Sequence, residues 1–481
     1  MSIQITSPPG EGPIRLYIDN DSFLYDVYGL LTAFYPGNRP EIMSEASDAQ
    51  IVINVPEAPD RITQKNTLKK ELYNELSRRQ GHTLPWGTLT GVRPTKLTLR
   101  ELDRGRSFEE TVEYMKANYL TSEKKARLAT EIAVRERQMM SSLHDGSVCL
   151  YIGIPFCPSI CLYCSFSSYA IGAFGDSVED YLDALKTEIK NASRVLNGRH
   201  IEAVYFGGGT PTSLSATQLD GLLGTLDSSI DLSGTSEFTV EAGRPDSITD
   251  DKLKVLASHG VDRISVNPQT LQQKTLDTIG RRHTVDDFCR AYSMARNYPF
   301  LINTDLIVGL PGEVENEVRD TLERIVELSP DNLTVHSLAK KRASRLTEQW
   351  DEFASGAFVY TDTIEQLVFD AARRLDMEPY YMYRQKEIAG NMENVGFARA
   401  GEECLYNVLM MEEACDIAAF GAGAVSKRIS GTPAHDGMRE KADRIRNPKD
   451  VKNYIDRIEE TVQKKDKFFQ LYSVKKTSSV I

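Results

Sequence analysis

The sequence predicts an α/β protein: a partial, TIM-like (β/α)6 barrel with an N-terminal α+β and helical region before it and a C-terminal α+β cover after it. Three observations predict this. From Cys149 onward, short apolar runs alternate with amphipathic helical patterns over six units, the signature of parallel strands joined by right-handed crossovers. Glycines and polar residues collect at the C-terminal ends of these runs, where such barrels bind and react. Three cysteines follow the first run at once, in Tyr151-Ile-Gly-Ile-Pro-Phe-Cys157-Pro-Ser-Ile-Cys161-Leu-Tyr-Cys164. Alternation alone also fits an open doubly wound sheet; the placement of the polar residues favours the barrel.

A chain of 481 residues has room for about two to four domains. The expected division is 1–60, a small α+β unit; 61–145, helical; 146–378, the barrel; and 379–481, the cover. The net charge of −12 argues against a nucleic-acid binder, which would carry a basic face, but leaves room for a local basic pocket. With no apolar run of about 18 residues and no basic-then-apolar N-terminus, the expectation is a cytoplasmic protein without a membrane span. Of seven cysteines, three cluster; Cys149, Cys289, Cys404 and Cys415 are scattered and make no disulfide framework.

Residues 14–20 and 50–55 read as strands. Phe23, Val27, Leu30, Leu31 and Phe34 recur between them at helical spacing, closed by Pro36-Gly37. Residues 62–80 form a charged helix with Leu68, Leu72 and Leu76 on one face. The Gly/Pro-punctuated stretch Pro85–Lys96 is too apolar for a solvated linker. Packing against a neighbouring domain explains it better than anion contact by Arg93 and Lys96. Residues 107–140 read as two helices, and His144-Asp-Gly-Ser147 marks the boundary to the barrel.

The barrel strands are expected at Cys149–Ile154, Ala203–Phe206, Glu237–Glu241, Arg263–Val266, Ile302–Val308 and Asn332–Val335. The first crossover helix carries Val178, Tyr181, Leu182, Leu185, Ile189 and Ala192 on one stripe. Each strand ends on something unusual. The first leads to the cysteines and the second to Gly207-Gly-Gly-Thr-Pro-Thr212, whose backbone can approach a ligand closely. No Gly-Lys-Ser/Thr follows, so this is not a P-loop. Glu241 ends the third strand, where a carboxylate needs a partner or solvent. Gln269 ends the fourth, and Asp305 interrupts the fifth before Gly309-Leu-Pro-Gly312.

Iron–sulfur clusters usually take four thiolates; three would leave one iron open to a substrate. The alternative is a closed zinc site, which needs a fourth ligand, with His144 or Cys149 as the nearby residues. After the sixth strand come Lys340-Lys341-Arg342 and Arg345, and later Arg384 and Lys386. They suit carboxylates, Arg bidentately and Lys as a point charge; an exposed basic turn is the plain alternative. Residues 379–430 mix strand-like aromatic runs with Phe420-Gly-Ala-Gly-Ala424. Residues 449–465 form a docking helix, and the end around Lys475 is expected to fray.

The stretches Tyr-Ile-x-Ile-Pro-Phe-Cys, Cys-x3-Cys-x-Tyr-Cys, Tyr-Phe-Gly-Gly-Gly-Thr-Pro-Thr, Gly280-Arg281-x-His283 and Asp305-Leu-Ile-x-Gly-Leu-Pro-Gly resemble the oxygen-independent coproporphyrinogen III oxidase family of radical S-adenosylmethionine (SAM) proteins. Gly-Thr-Leu-Thr-Gly-Val-Arg-Pro-Thr-Lys96 and Pro379-Tyr-Tyr-Met-Tyr-Arg-Gln-Lys386 look like its HemZ-type branch, the coproporphyrinogen dehydrogenases. The resemblance implies a 4Fe-4S cluster on Cys157, Cys161 and Cys164, with SAM at the open iron touching Tyr151, Gly208 and Glu241. It implies a second SAM near Tyr163, Gly209, Thr210, Gln269, Arg281 and Asp305, so one or two SAM molecules are expected.

The implied reaction is oxidative decarboxylation of coproporphyrinogen III propionates to the vinyl groups of protoporphyrinogen IX, in haem biosynthesis. It needs a one-electron donor such as a flavodoxin or ferredoxin. Two positions depart from the oxidase pattern. Gly153 stands where the oxidases have histidine. Phe166 stands where they have a further cysteine, and this Phe resembles the haem-chaperone relatives. The alternatives are a haem carrier of the same superfamily, or a radical SAM enzyme acting on haem by ring opening or methyl transfer.

Overall fold

The structure is a computed structural model describing residues 3–6, 12–91, 93–166, 168–175, 177–196, 198–339, 344–348, 361–385, 392–429 and 442–477. The chain forms two compact units. One comprises Met1–Arg137, Ser337–Lys340 and Met382–Asn394; the other comprises Gln138–His336, Lys341–Tyr381 and Val395–Ile481.

In the first unit, strands β1 (Ile3–Ile5), β2 (Ile14–Ile18), β3 (Pro40–Ile42) and β4 (Ile51–Ile53) pair in the order β1-β4-β2-β3. Their apolar face packs on Val27, Leu30, Leu31 and Phe34 of one helix and Leu68, Leu72 and Leu76 of another. The strand expected at 14–20 stops at Ile18, because Asn20 turns to cap the next 3₁₀ turn, accepting from the Ser22 amide at 3.1 Å. The charged helix runs Arg61–Gln80, started by the Asp60 carboxylate and stopped by Gly81 in the left-handed region (φ 70°). Helices Phe108–Tyr119 and Glu123–Met140 answer the two expected over 107–140; a further helix, Thr95–Asp103, was not foreseen.

The apolar loop from Pro85 packs within the first unit, where packing against a neighbouring domain was expected. Trp86 is fully buried and donates through Nε1 to Glu393 at 2.8 Å. Glu393 also accepts from the buried Lys125 at 2.5 Å, and the Arg384 guanidinium lies 5.3 Å from the Trp86 ring centre. Sequence distance hid this cluster, since Trp86 and Glu393 are 307 residues apart.

In the second unit, β5 (Val148–Ile154) is followed by the short pair β6 (Phe156–Cys157) and β7 (Tyr169–Ala170). Then come β8 (Ile201–Gly208), β9 (Glu237–Glu241), β10 (Arg263–Ser265), β11 (Leu301–Val308) and β12 (Asn332–Ser337). All six long strands stand where the apolar runs predicted them. They lie side by side in chain order, and β5, β8, β9, β10 and β11 run parallel. A doubly wound sheet would reverse order part-way; this progression does not, as in a partial barrel.

The sheet stays open and is extended at both edges. Beyond β5 lie β15 (Asp416–Phe420), β16 (Val425–Ile429) and β17 (Ala442–Arg446); beyond β12 lie β14 (Asn394–Ala398) and β13 (Glu378–Tyr383). The helix Ser177–Leu196 buries all six residues of its predicted stripe against the sheet side, each large one contributing about 1.5–3 kcal/mol.

The docking helix expected over 449–465 is two helices, Val451–Asp456 and Ile458–Thr477, broken at Arg457. The second runs to Thr477, and the rest of the end expected to fray lies outside the described residues. Among the described residues no helix is long and apolar enough to cross a membrane.

Candidate functional site

The cysteine loop leaves β5 at Pro155 and is held from three sides. Leu162 donates its amide to Ile279 O at 2.9 Å and accepts from Leu346 at 3.0 Å. Arg345, exposed, donates to Ile160 O at 2.8 Å. The third support is Arg244, buried, which donates to Ser159 O and Ser159 Oγ at 3.1 Å each and to Cys161 Sγ at 3.6 Å. Asp246 fixes Arg244 by two bonds of 2.9 and 2.8 Å. Thr210 Oγ1 donates to Cys157 Sγ at 3.5 Å, and Cys164 Sγ lies 3.9 Å from Ser168 Oγ. The loop is thus a rigid frame carrying three free thiols.

The glycine run lies against that frame. Gly209 donates its amide to Ile154 O and Thr210 to Phe156 O, both at 2.7 Å. A Cβ on Gly209 would stand 2.5 Å from Phe156 O, so only glycine permits this approach. Gly208 has φ 108°, and a Cβ there would meet the Tyr151 hydroxyl at 3.2 Å. The Glu241 carboxylate lies 3.0 Å from the position of a Gly207 Cβ. It accepts from the Tyr205 hydroxyl at 2.6 Å. Burial pushes the Glu241 pKa up to about 7, against the Tyr205 bond, which lowers it, with Asp305 adding repulsion. Tyr151, Gly208 and Glu241, the residues that the resemblance assigns to one SAM, therefore lie together.

The second predicted set falls along the next strands. Asn267 Nδ2 donates to Asp305 Oδ2 at 2.8 Å, and the Gln269 amide donates to Asp305 O at 3.1 Å. Gln269 has φ 68°, a left-handed conformation uncommon outside glycine, and its buried Oε1 has no hydrogen-bond partner among the described residues. Arg281 is buried. It donates to Gly243 O at 2.7 Å, Asn267 O at 2.8 Å and Tyr163 Oη at 3.3 Å, while its Nε finds no partner among the described residues. Beside it, His283 is held neutral: burial, helped by Arg281, drives its pKa down to about 3.

The predicted basic residues divide. Lys340, Lys341, Arg342 and Lys386 lie outside the described residues. Arg345 props the cysteine loop. Arg384 belongs to the first unit, is buried, and donates to Leu89 O at 2.6 Å; burial lowers its pKa to about 10.

The radical SAM superfamily model matches residues 151–325. The chain is 40% identical over 415 residues, 84% of its own length and 81% of the relative's, to the oxygen-independent coproporphyrinogen-III oxidase-like protein HemZ of Bacillus subtilis (strain 168). This is a radical SAM protein of the oxygen-independent coproporphyrinogen III oxidase family, HemZ-type branch. The chain is also 32% identical over 312 residues, 64% of its length and 76% of the relative's, to the heme chaperone HemW of the same organism. The solved structure of coproporphyrinogen III oxidase (HemN) from Escherichia coli shares the fold. Its TM-score is 0.53 at 22% identity, over 69% of this chain and 73% of that one.

Radical SAM proteins use a 4Fe-4S cluster and SAM, and the residues present fit both. The fourth ligands considered for zinc are engaged elsewhere. Cys149 Sγ lies 3.2 Å from Cys415 Sγ between the parallel neighbours β5 and β15, and His144 Nδ1 lies 3.1 Å from Glu202. The unpartnered Gln269 Oε1 and Arg281 Nε and the bare glycine edge suit a polar ligand.

Sequence reasoning missed Tyr205, Arg244, Asn267 and Tyr406, whose ring stacks on Tyr205 with centres 4.4 Å apart. Two signals were available. Tyr205 precedes Gly207 by one period of strand alternation, and Arg244 faces Asp246 two residues on. Nothing local pointed to Tyr406.

Proposed function

We propose that this protein is a radical SAM enzyme of porphyrin and haem biosynthesis that oxidatively decarboxylates coproporphyrinogen III. The observation that carries the reading is convergence. The three-cysteine frame, the glycine edge and Glu241 meet at the C-terminal ends of the strands, in a chain similar to HemZ over most of its length. Cys157, Cys161 and Cys164 would each hold one iron, leaving a fourth open. Tyr151, Gly208 and Glu241 would contact the SAM bound there. Tyr163, Gly209, Thr210, Gln269, Arg281 and Asp305 would receive a second SAM.

Together the two groups supply a carbon-centred radical able to take hydrogen from an unactivated carbon. Loss of one β-hydrogen, carbon dioxide and one further electron turns a propionate into a vinyl group; two rounds give protoporphyrinogen IX. The chain's own part is positional. Arg244, Arg345 and the Ile279 carbonyl hold the cysteine loop, and the close-packed Gly207–Gly209 edge leaves SAM one face to occupy. Lys340, Lys341 and Arg342 would grip the propionates. Replacing all three by Gln should raise KM and reduce its salt dependence, while SAM cleavage without substrate should hardly change.

A haem carrier is the second reading, favoured by two positions. Phe166 is 70% exposed beside the cysteine frame. A Cβ on Gly153 would stand 3.2 Å from Phe420 O, so the histidine of the oxidases would require the chain there to shift. Anaerobic incubation with reduced coproporphyrinogen, SAM and a strong reductant, followed by chromatography of the tetrapyrroles, separates the two. Vinyl products support the oxidase. SAM cleavage without them, with tight stoichiometric haem binding, supports the carrier.

A further inference from the structure

At the N-terminal ends of β5 and β8, the end of the sheet away from the cysteine loop, two histidines meet one buried carboxylate. Glu202, the second residue of β8, is 2% exposed. Its Oε1 accepts the His144 amide at 2.7 Å and faces His144 Nδ1 at 3.1 Å. Its Oε2 lies 3.7 Å from His200 Nε2, too far for a hydrogen bond. That nitrogen is buried and has no partner among the described residues. The imidazole rings face each other with centres 3.7 Å apart, and one ligand atom from each of the three residues lies within 4.8 Å of the others.

We propose that His144, His200 and Glu202 bind a divalent transition-metal ion of the zinc type. A plain hydrogen bond accounts for His144 and Glu202 but leaves His200 Nε2 without a partner among the described residues. One ion with bonds of about 2.0–2.2 Å spans these separations and satisfies all three groups at once. Two imidazoles and a carboxylate form a donor set that zinc accepts. The His144 amide on Oε1 is the kind of hydrogen bond that orients a ligating carboxylate. Gly234 leaves the room, since a Cβ there would stand 2.9 Å from His200 Cε1. The His144 side chain is 60% exposed, which gives the ion an entry path and leaves its fourth position to water.

The ion would tie the turn entering β5 to the start of β8. The same two segments already meet where the Val148 amide donates to His200 O at 3.0 Å. Because the site is formed only in the folded chain, its occupancy stabilises the fold by mass action.

The test is calorimetric titration of zinc into the cluster-loaded full chain under argon, repeated in a chain with Cys157, Cys161 and Cys164 all changed to Ala so that no cluster thiolate competes. Both should bind about one zinc per chain. His144→Ala, which removes an exposed ring and leaves the core intact, should weaken binding by at least about tenfold, and His200→Ala likewise. Zinc should raise the melting temperature of the parent chain and leave that of His144→Ala unmoved. Two results would overturn the proposal: no zinc uptake by the parent at about 1 mM, or unchanged affinity in His144→Ala. If His200→Ala fails to fold, His144→Ala alone decides.

Discussion

Two carboxylates of the second unit, Glu188 buried and Glu241 half-buried, stand in opposite circumstances. Glu188, on the helix Ser177–Leu196, is saturated. It accepts from Gly421 N at 2.9 Å, Asn447 Nδ2 at 2.8 Å and the Tyr454 hydroxyl at 2.5 Å, and it pairs with the buried Lys465. Glu241, at the end of β9, has the Tyr205 hydroxyl and the Gly208 amide, and no ion pair among the described residues. Gln269 and Arg281 also keep polar atoms without a partner among the described residues. Folding alone favours the first arrangement, because an unsatisfied buried group costs free energy. We propose that the second is retained because a ligand completes it.

This contrast can be broken from either side. The largest effect is expected at the cysteine frame. Cys157→Ala, Cys161→Ala or Cys164→Ala should each abolish the cluster's brown absorbance and its complement of about four irons under argon. Cys289→Ala, on the helix Val285–Ala295, should keep both. Retention of full iron in all three loop variants would remove these cysteines from the site.

Next in size is Glu188→Ala, which strands Lys465 inside the protein. Breaking a buried pair in this way costs about 3–5 kcal/mol, read by denaturant melts, while the iron content of the folded fraction should not change. Glu241→Gln should do the reverse. Stability in acid should hold, but SAM affinity at neutral pH should fall by about 1–3 kcal/mol with the loss of a charged hydrogen bond. Gly208→Val should weaken SAM binding as well, leaving the cluster in place. Unchanged calorimetric affinity in both variants would take Glu241 and the glycine edge out of the SAM site.

A smaller effect follows from the raised pKa of Glu241. Its carboxyl titrates near 7 in the fold against an ordinary 4.5, so the fold favours the protonated form. Its contribution is present below pH 4.5 and is lost as pH rises through about 7. Without SAM, parent and Glu241→Gln should therefore diverge in melting temperature across that window, the parent losing more on the alkaline side. Parallel curves would contradict the assignment.

The six strands were legible because each is a short apolar run with a polar or glycine stop. The helix stripe from Val178 to Ala192 was legible because one face of it is buried throughout. Most of the candidate site was legible because Gly207–Thr212, Glu241, Gln269 and Asp305 each sit directly at or near a strand end. What escaped depends on distance. Tyr406 reaches Tyr205 across about two hundred positions, and Trp86 meets Glu393 across three hundred and more; no local pattern encodes such meetings. The break at Arg457 escaped because Val451, Tyr454, Ile455, Ile458 and Val462 keep helical spacing straight through it.

The most direct test of the account follows one hydrogen atom. Coproporphyrinogen III deuterated at the β-carbons of its propionates is incubated anaerobically with the reduced, cluster-loaded protein and SAM, and the 5′-deoxyadenosine formed is analysed by mass spectrometry. The account predicts deuterium in the 5′-deoxyadenosine, in step with the appearance of vinyl tetrapyrrole. Cleavage of SAM to unlabelled 5′-deoxyadenosine, with the propionates intact, would contradict it.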